Sequence, residues 1–377
     1  MNPESIALGH VKAIPPYPPG RPIASVAREF GLDPASIVKL ASNENPLGPS
    51  PRARQAIAEA AASAAQYPDF DTYALKAALA RQLGVAPERL LPGAGSSEHI
   101  VLIARAFLET GRRGVISQHS FPAYRNAIAA TGAEPVIVPS HEYGLDLERM
   151  LEAIDARVRL VYLATPNNPT GTRLTPAALD QFLARVPDHV VVALDEAYRD
   201  YLDPSERPDT DHLAEQRSNV VVLRTFSKIH GLAGLRVGYA IGDPRLLGLL
   251  RRLQTPFSVS AVSEAAAVAA LSDGDFPEKC RLLNRRERSR VQEALRAAAI
   301  EFIPSYGNFV LLRTGDSRGT SQALMRRGVI VRPMEGYGFA EWIRVSIGLP
   351  EENDLFLRHL LELMRTDAGV ADREHGS

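Results

Sequence analysis

The sequence predicts an α/β fold in which a mostly parallel sheet is sandwiched by helices and joined to a smaller α+β domain. Three observations lead there. From about residue 88 to 245, short apolar runs alternate with amphipathic stretches, the pattern of strand–helix–strand units over a parallel sheet. Several of those runs are continuous, as in Val190-Val191-Val192-Ala193-Leu194, which is how a strand buried on both faces reads. Beyond residue 243 the pattern turns helical, and three late strand-like pieces follow an Arg/Glu-rich helix. A chain of 377 residues exceeds what one compact core usually holds, so two domains are expected.

The opening forty residues are rich in proline and glycine (Pro15-Pro16-Tyr17-Pro18-Pro19-Gly20) and read as a stiff arm with too little periodicity for a core element. Lys39-Leu40-Ala41-Ser42-Asn43-Glu44-Asn45-Pro46-Leu47-Gly48 is a loop by its Asn, Pro and Gly content. Helical patterns follow at about 51–65 and 71–83, the second closed by Gly84. Strands are predicted at 114–117, 135–138, 160–164, 190–194, 220–224 and 235–241, with helices near 96–109, 122–131, 146–154 and 175–185. A long helix at about 277–299 leads into strands at 308–313, 329–334 and 342–348, with helices at about 318–327 and 351–365. This last unit reads as mostly antiparallel.

Composition narrows the function. The net charge is -1, so no basic field points to nucleic acid or an anionic membrane. No run approaches the roughly 18 apolar residues that a membrane span needs, and the start lacks a signal-peptide pattern. The single cysteine, Cys280, fits a reducing compartment, so a cytoplasmic location is expected. No His/Cys cluster has zinc-ligand spacing, and no metal is expected.

The chemistry concentrates after three strands. Lys228 sits just past 220–224 in Thr225-Phe226-Ser227-Lys228-Ile229-His230-Gly231, with Arg236 eight residues on. Open α/β sheets place their ligands at such strand ends. A lysine held there can form a Schiff base with an aldehyde cofactor, and an arginine with two hydroxyls can hold that cofactor's phosphate. Asp195-Glu196-Ala197-Tyr198 ends the run at 190–194, and Thr165-Pro166-Asn167-Asn168-Pro169-Thr170-Gly171 ends the run at 160–164. Taken singly, they read as a solvated surface lysine, an N-cap or surface aspartate, and turn residues.

Jointly, in their order and spacing, these motifs resemble histidinol-phosphate aminotransferases within the fold-type-I pyridoxal-phosphate family. The resemblance runs from Lys39–Gly48 to Arg344-Val345-Ser346-Ile347-Gly348. It implies a seven-stranded-type sheet. It also implies an arm with part of the small domain at 1–45, a large cofactor domain at 46–275 and a small domain at 276–377. The implied cofactor is pyridoxal 5'-phosphate, bonded to Lys228, with Asp195 facing its pyridine nitrogen and Tyr198 and Asn168 reaching its 3'-oxygen. Thr225, Ser227, Arg236 and the loop Gly95, Ser96 and Ser97 would hold its phosphate; helix N-termini bind anions. The family often carries Asn where this chain has Ala94. Phe121 matches the ring that stacks on the cofactor, where many relatives have tyrosine.

Tyr67 matches a tyrosine that reaches the cofactor phosphate of the partner in a homodimer. Arg344 would receive the substrate's anion, aided by Arg332, Tyr17 and Asn43; an arginine fork suits carboxylate and phosphate alike. The implied reaction is ping-pong transfer of an amino group between L-histidinol phosphate and 2-oxoglutarate. Alternatives are an aromatic amino acid aminotransferase, a related phospho-amino-acid decarboxylase, and a regulator using the domain as a sensor. The last would need a DNA-binding module, for which the arm before residue 40 is too short.

Overall fold

The computed structural model of the chain describes residues 2–16 and 18–374. A short strand, β1 (Val38–Lys39), leaves the arm. Seven strands then build the main sheet: β2 (Leu90–Gly93), β3 (Arg113–Ser117), β4 (Glu134–Val138), β5 (Val158–Ala164), β6 (Val191–Asp195), β7 (Val220–Thr225) and β8 (Gly238–Gly242). Their order is β2-β8-β7-β6-β5-β3-β4. All run the same way except β8, which is antiparallel to both of its neighbours.

The central strands form because their residues can be buried on both faces. Along β5 to β7, alternate side chains enter two separate cores. Val161, Leu163, Val192, Leu194, Val220 and Val222 face one; Leu160, Tyr162, Val191, Ala193, Val221 and Leu223 face the other. Each fully buried Val or Leu contributes about 1.5–3 kcal/mol, so an aspartate at Val222 would remove that gain and bury a charge. Caps place the covering helices: Ser50 starts Pro51–Ala60, Thr175 starts Pro176–Arg185 and Ser260 starts Ala261–Leu271, each side chain accepting a backbone N–H.

β2 is a strand that the apolar pattern did not reveal. It is four residues long and contains Pro92, and it lies at the sheet edge, where a missing N–H is tolerated.

A second, antiparallel sheet joins β9 (Phe302–Ile303), β10 (Phe309–Arg313), β12 (Arg332–Pro333) and β13 (Trp342–Ser346) in the order β12-β13-β10-β9. The predicted strand at 329–334 divides. Its first part, β11 (Val329–Ile330), pairs in parallel with β1 instead. Helices Asp275–Ala297, Ser317–Arg326 and Pro350–Glu374 cover a core around Leu295, Val310, Leu312, Val345 and Phe356.

The arm is not devoid of core elements, contrary to expectation. Helix Ile23–Phe30 ends at Gly31 in the left-handed conformation, φ +66, as helix ends often do. It buries Val26 and Ala27 against Ile37, Ala41, Met325 and Ile330. Ile23, Val26, Ala27 and Phe30 carry the helical i, i+3, i+4, i+7 spacing; the surrounding prolines obscured it.

Candidate active site

The site lies at the carboxyl ends of β5, β6 and β7. Asp195 is the last residue of β6, in register with Ala164 of β5 and Leu223 of β7. It is 6% exposed. Its Oδ2 accepts the Tyr124 hydroxyl at 2.7 Å, and its Oδ1 accepts the Ala197 amide at 3.0 Å. Burial pushes its carboxyl above the ordinary value, and these two bonds oppose the shift. A buried carboxylate without a cation beside it is costly, so the position suits a positively charged partner. Behind it, buried Glu196 accepts bonds from Arg224 Nε and the Thr210 hydroxyl, both at 2.9 Å, which pin the strand end.

Lys228 lies three residues beyond β7. Its Nζ donates to the Ser42 carbonyl at 3.2 Å and sits 5.5 Å from the Tyr198 ring centroid. The Tyr198 hydroxyl accepts the Asn43 amide at 2.9 Å. That bond occupies one lone pair of the hydroxyl oxygen.

A cradle of backbone and cation forms nearby. Helix Ser96–Phe107 begins at the cavity, after Gly95 at φ +78. A Cβ on Gly95 would stand 2.9 Å from Arg236 Nη2, and one on Gly238 would stand 2.7 Å from the Ser96 nitrogen, so both positions require glycine. Glu98 Oε2 accepts the Ala94 amide at 2.7 Å and holds the loop's shape. Arg236 Nη1 donates to Ser227 Oγ at 3.4 Å, while Thr225 Oγ1 accepts the Ser227 amide at 3.1 Å.

On the opposite wall, Arg344 is buried on β13. It donates to Asn168 Oδ1 and, at 3.0 Å, to the Ala41 carbonyl. Its Nε is buried with no acceptor among the described residues. Arg332 donates to the Pro18 carbonyl at 2.6 Å, tying the arm to this wall. Asn167 faces away and organises its loop, donating to the His119 carbonyl and Thr170 Oγ1.

One cavity thus brings together Lys228, Asp195, Tyr198, Asn168, Ser96, Ser97, Thr225, Ser227, Arg236, Phe121, Arg344, Arg332 and Asn43. Gly95 lies just behind, against Arg236. Tyr67 lies outside this cavity: it is 84% exposed and stacks on Phe257 at 4.7 Å. Tyr17 is outside the described residues. Asn43, the expected substrate contact, also has protein partners. Its amide donates to Tyr198 and its Oδ1 accepts Ser346 Oγ at 3.1 Å, so its side chain links the turn after β6 to β13. Sequence reasoning also missed Tyr124, three residues after Phe121 in the first turn of helix Pro122–Ala130, and the carbonyls of Ala41 and Ser42. The aromatic spacing was the available signal for Tyr124.

Comparison with known proteins decides the family. The family described as aminotransferase class I and II matches residues 35–360. The chain belongs to that family. Among class I and II aminotransferases, it is 48% identical to histidinol-phosphate aminotransferase 1 of Cupriavidus pinatubonensis, over 93% of this chain and 94% of that protein. Histidinol-phosphate aminotransferase 2 of Pseudomonas aeruginosa is 46% identical over 96% of this chain and 99% of its own. The crystal structure of histidinol-phosphate aminotransferase from Sinorhizobium meliloti in complex with pyridoxal-5'-phosphate superimposes with a TM-score of 0.87 at 30% identity. It covers 96% of this chain and 98% of that one.

Proposed function

We propose that this aminotransferase uses pyridoxal 5'-phosphate to move an amino group between L-histidinol phosphate and 2-oxoglutarate, in two half-reactions at one pocket. The observation that carries the reading is Lys228 and buried Asp195 lining one cavity, in a chain 48% identical to a protein of that name.

The residues fit the cofactor. Asp195 offers a buried anion for a protonated pyridine, Phe121 offers a ring face, and the Gly95–Ser97 turn with Arg236 offers donors and a cation for a phosphate. When bound, pyridoxal phosphate supplies an electron-withdrawing ring that stabilises negative charge at the substrate's α-carbon. Lys228 would supply the amine that holds the cofactor's aldehyde carbon, and the same amine would be the base that moves a proton at the substrate's α-carbon. Tyr198 and Asn168, whose Oδ1 accepts Arg344, would hold the cofactor's 3'-oxygen. Arg344 and Arg332 receive the anionic end of either donor, a carboxylate or a phosphomonoester, because a guanidinium fork matches both.

Tyr67, Phe70, Tyr73 and Phe257 form an exposed aromatic patch. We assign it to a homodimer in which Tyr67 reaches the partner's phosphate site. The division 1–45, 46–275 and 276–377 and a cytoplasmic location belong to the same proposal. No helix among the described residues is long and apolar enough to cross a membrane.

Borohydride reduction of cofactor-saturated protein followed by peptide mapping is expected to label Lys228; a label elsewhere ends the assignment. Purified enzyme is expected to prefer histidinol phosphate. A kcat/KM favouring phenylalanine by more than roughly tenfold, about 1.4 kcal/mol, overturns the substrate.

A further inference from the structure

We propose that Tyr124 keeps Asp195 ionised and thereby holds the proton on the cofactor's ring nitrogen. The inference rests on the reading that Asp195 faces that nitrogen. Tyr124 is 1% exposed, and its hydroxyl is, among the described residues, one of two hydrogen-bond donors to the Asp195 carboxylate, beside the Ala197 amide. Its ring cannot wander. It stacks on Tyr162 with centroids 4.8 Å apart and planes 9° apart, and Phe121 meets it edge-on at 5.8 Å. Tyr162 is fixed in turn by its hydroxyl bond to the Ile100 carbonyl at 2.7 Å. The donor is therefore preorganised.

With the cofactor bound in that way, a single proton would lie between two bases, the ring nitrogen and the Asp195 carboxylate. Whatever stabilises the carboxylate anion keeps that proton on the ring. Burial favours the neutral acid, and one amide donor opposes it only in part. The Tyr124 hydroxyl adds a second, charge-assisted bond, stronger than one between neutral groups. Without it the proton moves toward Asp195, and a neutral ring withdraws electrons less well. The same helix carries Phe121 at its N-cap, so one element places both the stacking ring and the hydroxyl that governs the charge.

Tyr124→Phe keeps the stacked ring and removes the donor. In holoenzyme loaded with cofactor labelled at the ring nitrogen, the 15N signal of this variant is expected to move toward that of neutral pyridine. Cofactor affinity and kcat are each expected to fall about tenfold, with the KM for glutamate within about threefold. In an Asp195→Asn background there is no anion to stabilise, so adding Tyr124→Phe is expected to cost less than about twofold. An unchanged nitrogen signal in Tyr124→Phe, or the full tenfold loss in the Asp195→Asn background, overturns the role given to Tyr124. The signal is read from folded holoenzyme, so a change in stability does not mask it. Failure of the wild-type protein to bind cofactor at Lys228 would instead overturn the functional reading itself.

Discussion

Asn43 makes a quantitative prediction. It is 1% exposed and holds a left-handed backbone, φ +55. Its side chain bonds Tyr198 on one side and Ser346 on the other. Replacement by alanine removes both bonds, at about 1 kcal/mol each. Alanine also resists the left-handed region, which adds about 1 kcal/mol that asparagine largely avoids. The expected loss of stability is therefore about 3 kcal/mol for Asn43→Ala. Glycine adopts this backbone freely, so Asn43→Gly is expected to lose about 2 kcal/mol. Urea unfolding followed by fluorescence measures the difference. The sole tryptophan, Trp342, lies on β13 with Ser346 and reports on the sheet that Asn43 anchors. Equal losses for the two variants would remove the backbone argument. Losses below about 0.5 kcal/mol, the range of ordinary surface changes, would remove the bridge.

Three further expectations concern the pocket, the interface and pH. Arg344→Lys loses one prong of a buried fork, a charge-assisted bond of about 1.5–3 kcal/mol, so kcat/KM should fall roughly ten- to hundredfold for glutamate and histidinol phosphate alike; a loss confined to one donor would place the other's anion elsewhere. If Tyr67 serves the partner's site, subunits carrying Lys228→Ala and Tyr67→Ala, mixed and allowed to exchange, should recover about a quarter of wild-type activity, because half of the dimers then hold one intact site. Mixtures no better than the average of the two parents would refute that geometry. His99 is fully buried with Nε2 2.8 Å from the Leu91 carbonyl, and burial lowers its pKa. The unfolded chain takes up that proton first, so His99's contribution is fully present above about pH 6.5 and is lost as pH falls toward the folded value, by up to about 1.4 kcal/mol per pH unit. Denaturation at about pH 7.5 and about pH 5.5 should show wild type losing more stability than His99→Asn; identical losses would contradict a neutral His99.

The central strands were legible because double burial leaves a continuous apolar signature, and β5, β6 and β7 carry it. Singly, the polar residues that end those strands had bland readings open to them; Asp195, Asn168 and Lys228 stood out only through the joint order and spacing that resembles the aminotransferase family. Other features left no local trace. β2 and β9 are two to four residues long and exist only through their partners. The Tyr124–Asp195 bond spans 71 positions, and neither residue's neighbours announce the other. Asn43 read as a turn former and a substrate contact; its partners Tyr198, in the turn after β6, and Ser346, on β13, lie far from it in the chain and become visible only when the fold brings them together. The arm helix was legible in principle, since its spacing is helical, but the proline-rich stretch beside it dominated the reading.

The pairing of β1 with β11 joins Val38 to Val329, which has a consequence for biosynthesis. The ribosome must add 291 residues (329 minus 38) after Val38 before its partner exists. At about 5–20 residues per second, that is roughly 15–60 s. Throughout that interval the emerging N-terminal segment waits with its strand edge open, while the central sheet can already assemble from residues between the two. Closure of the small sheet around the arm is therefore a late event in the life of each new chain.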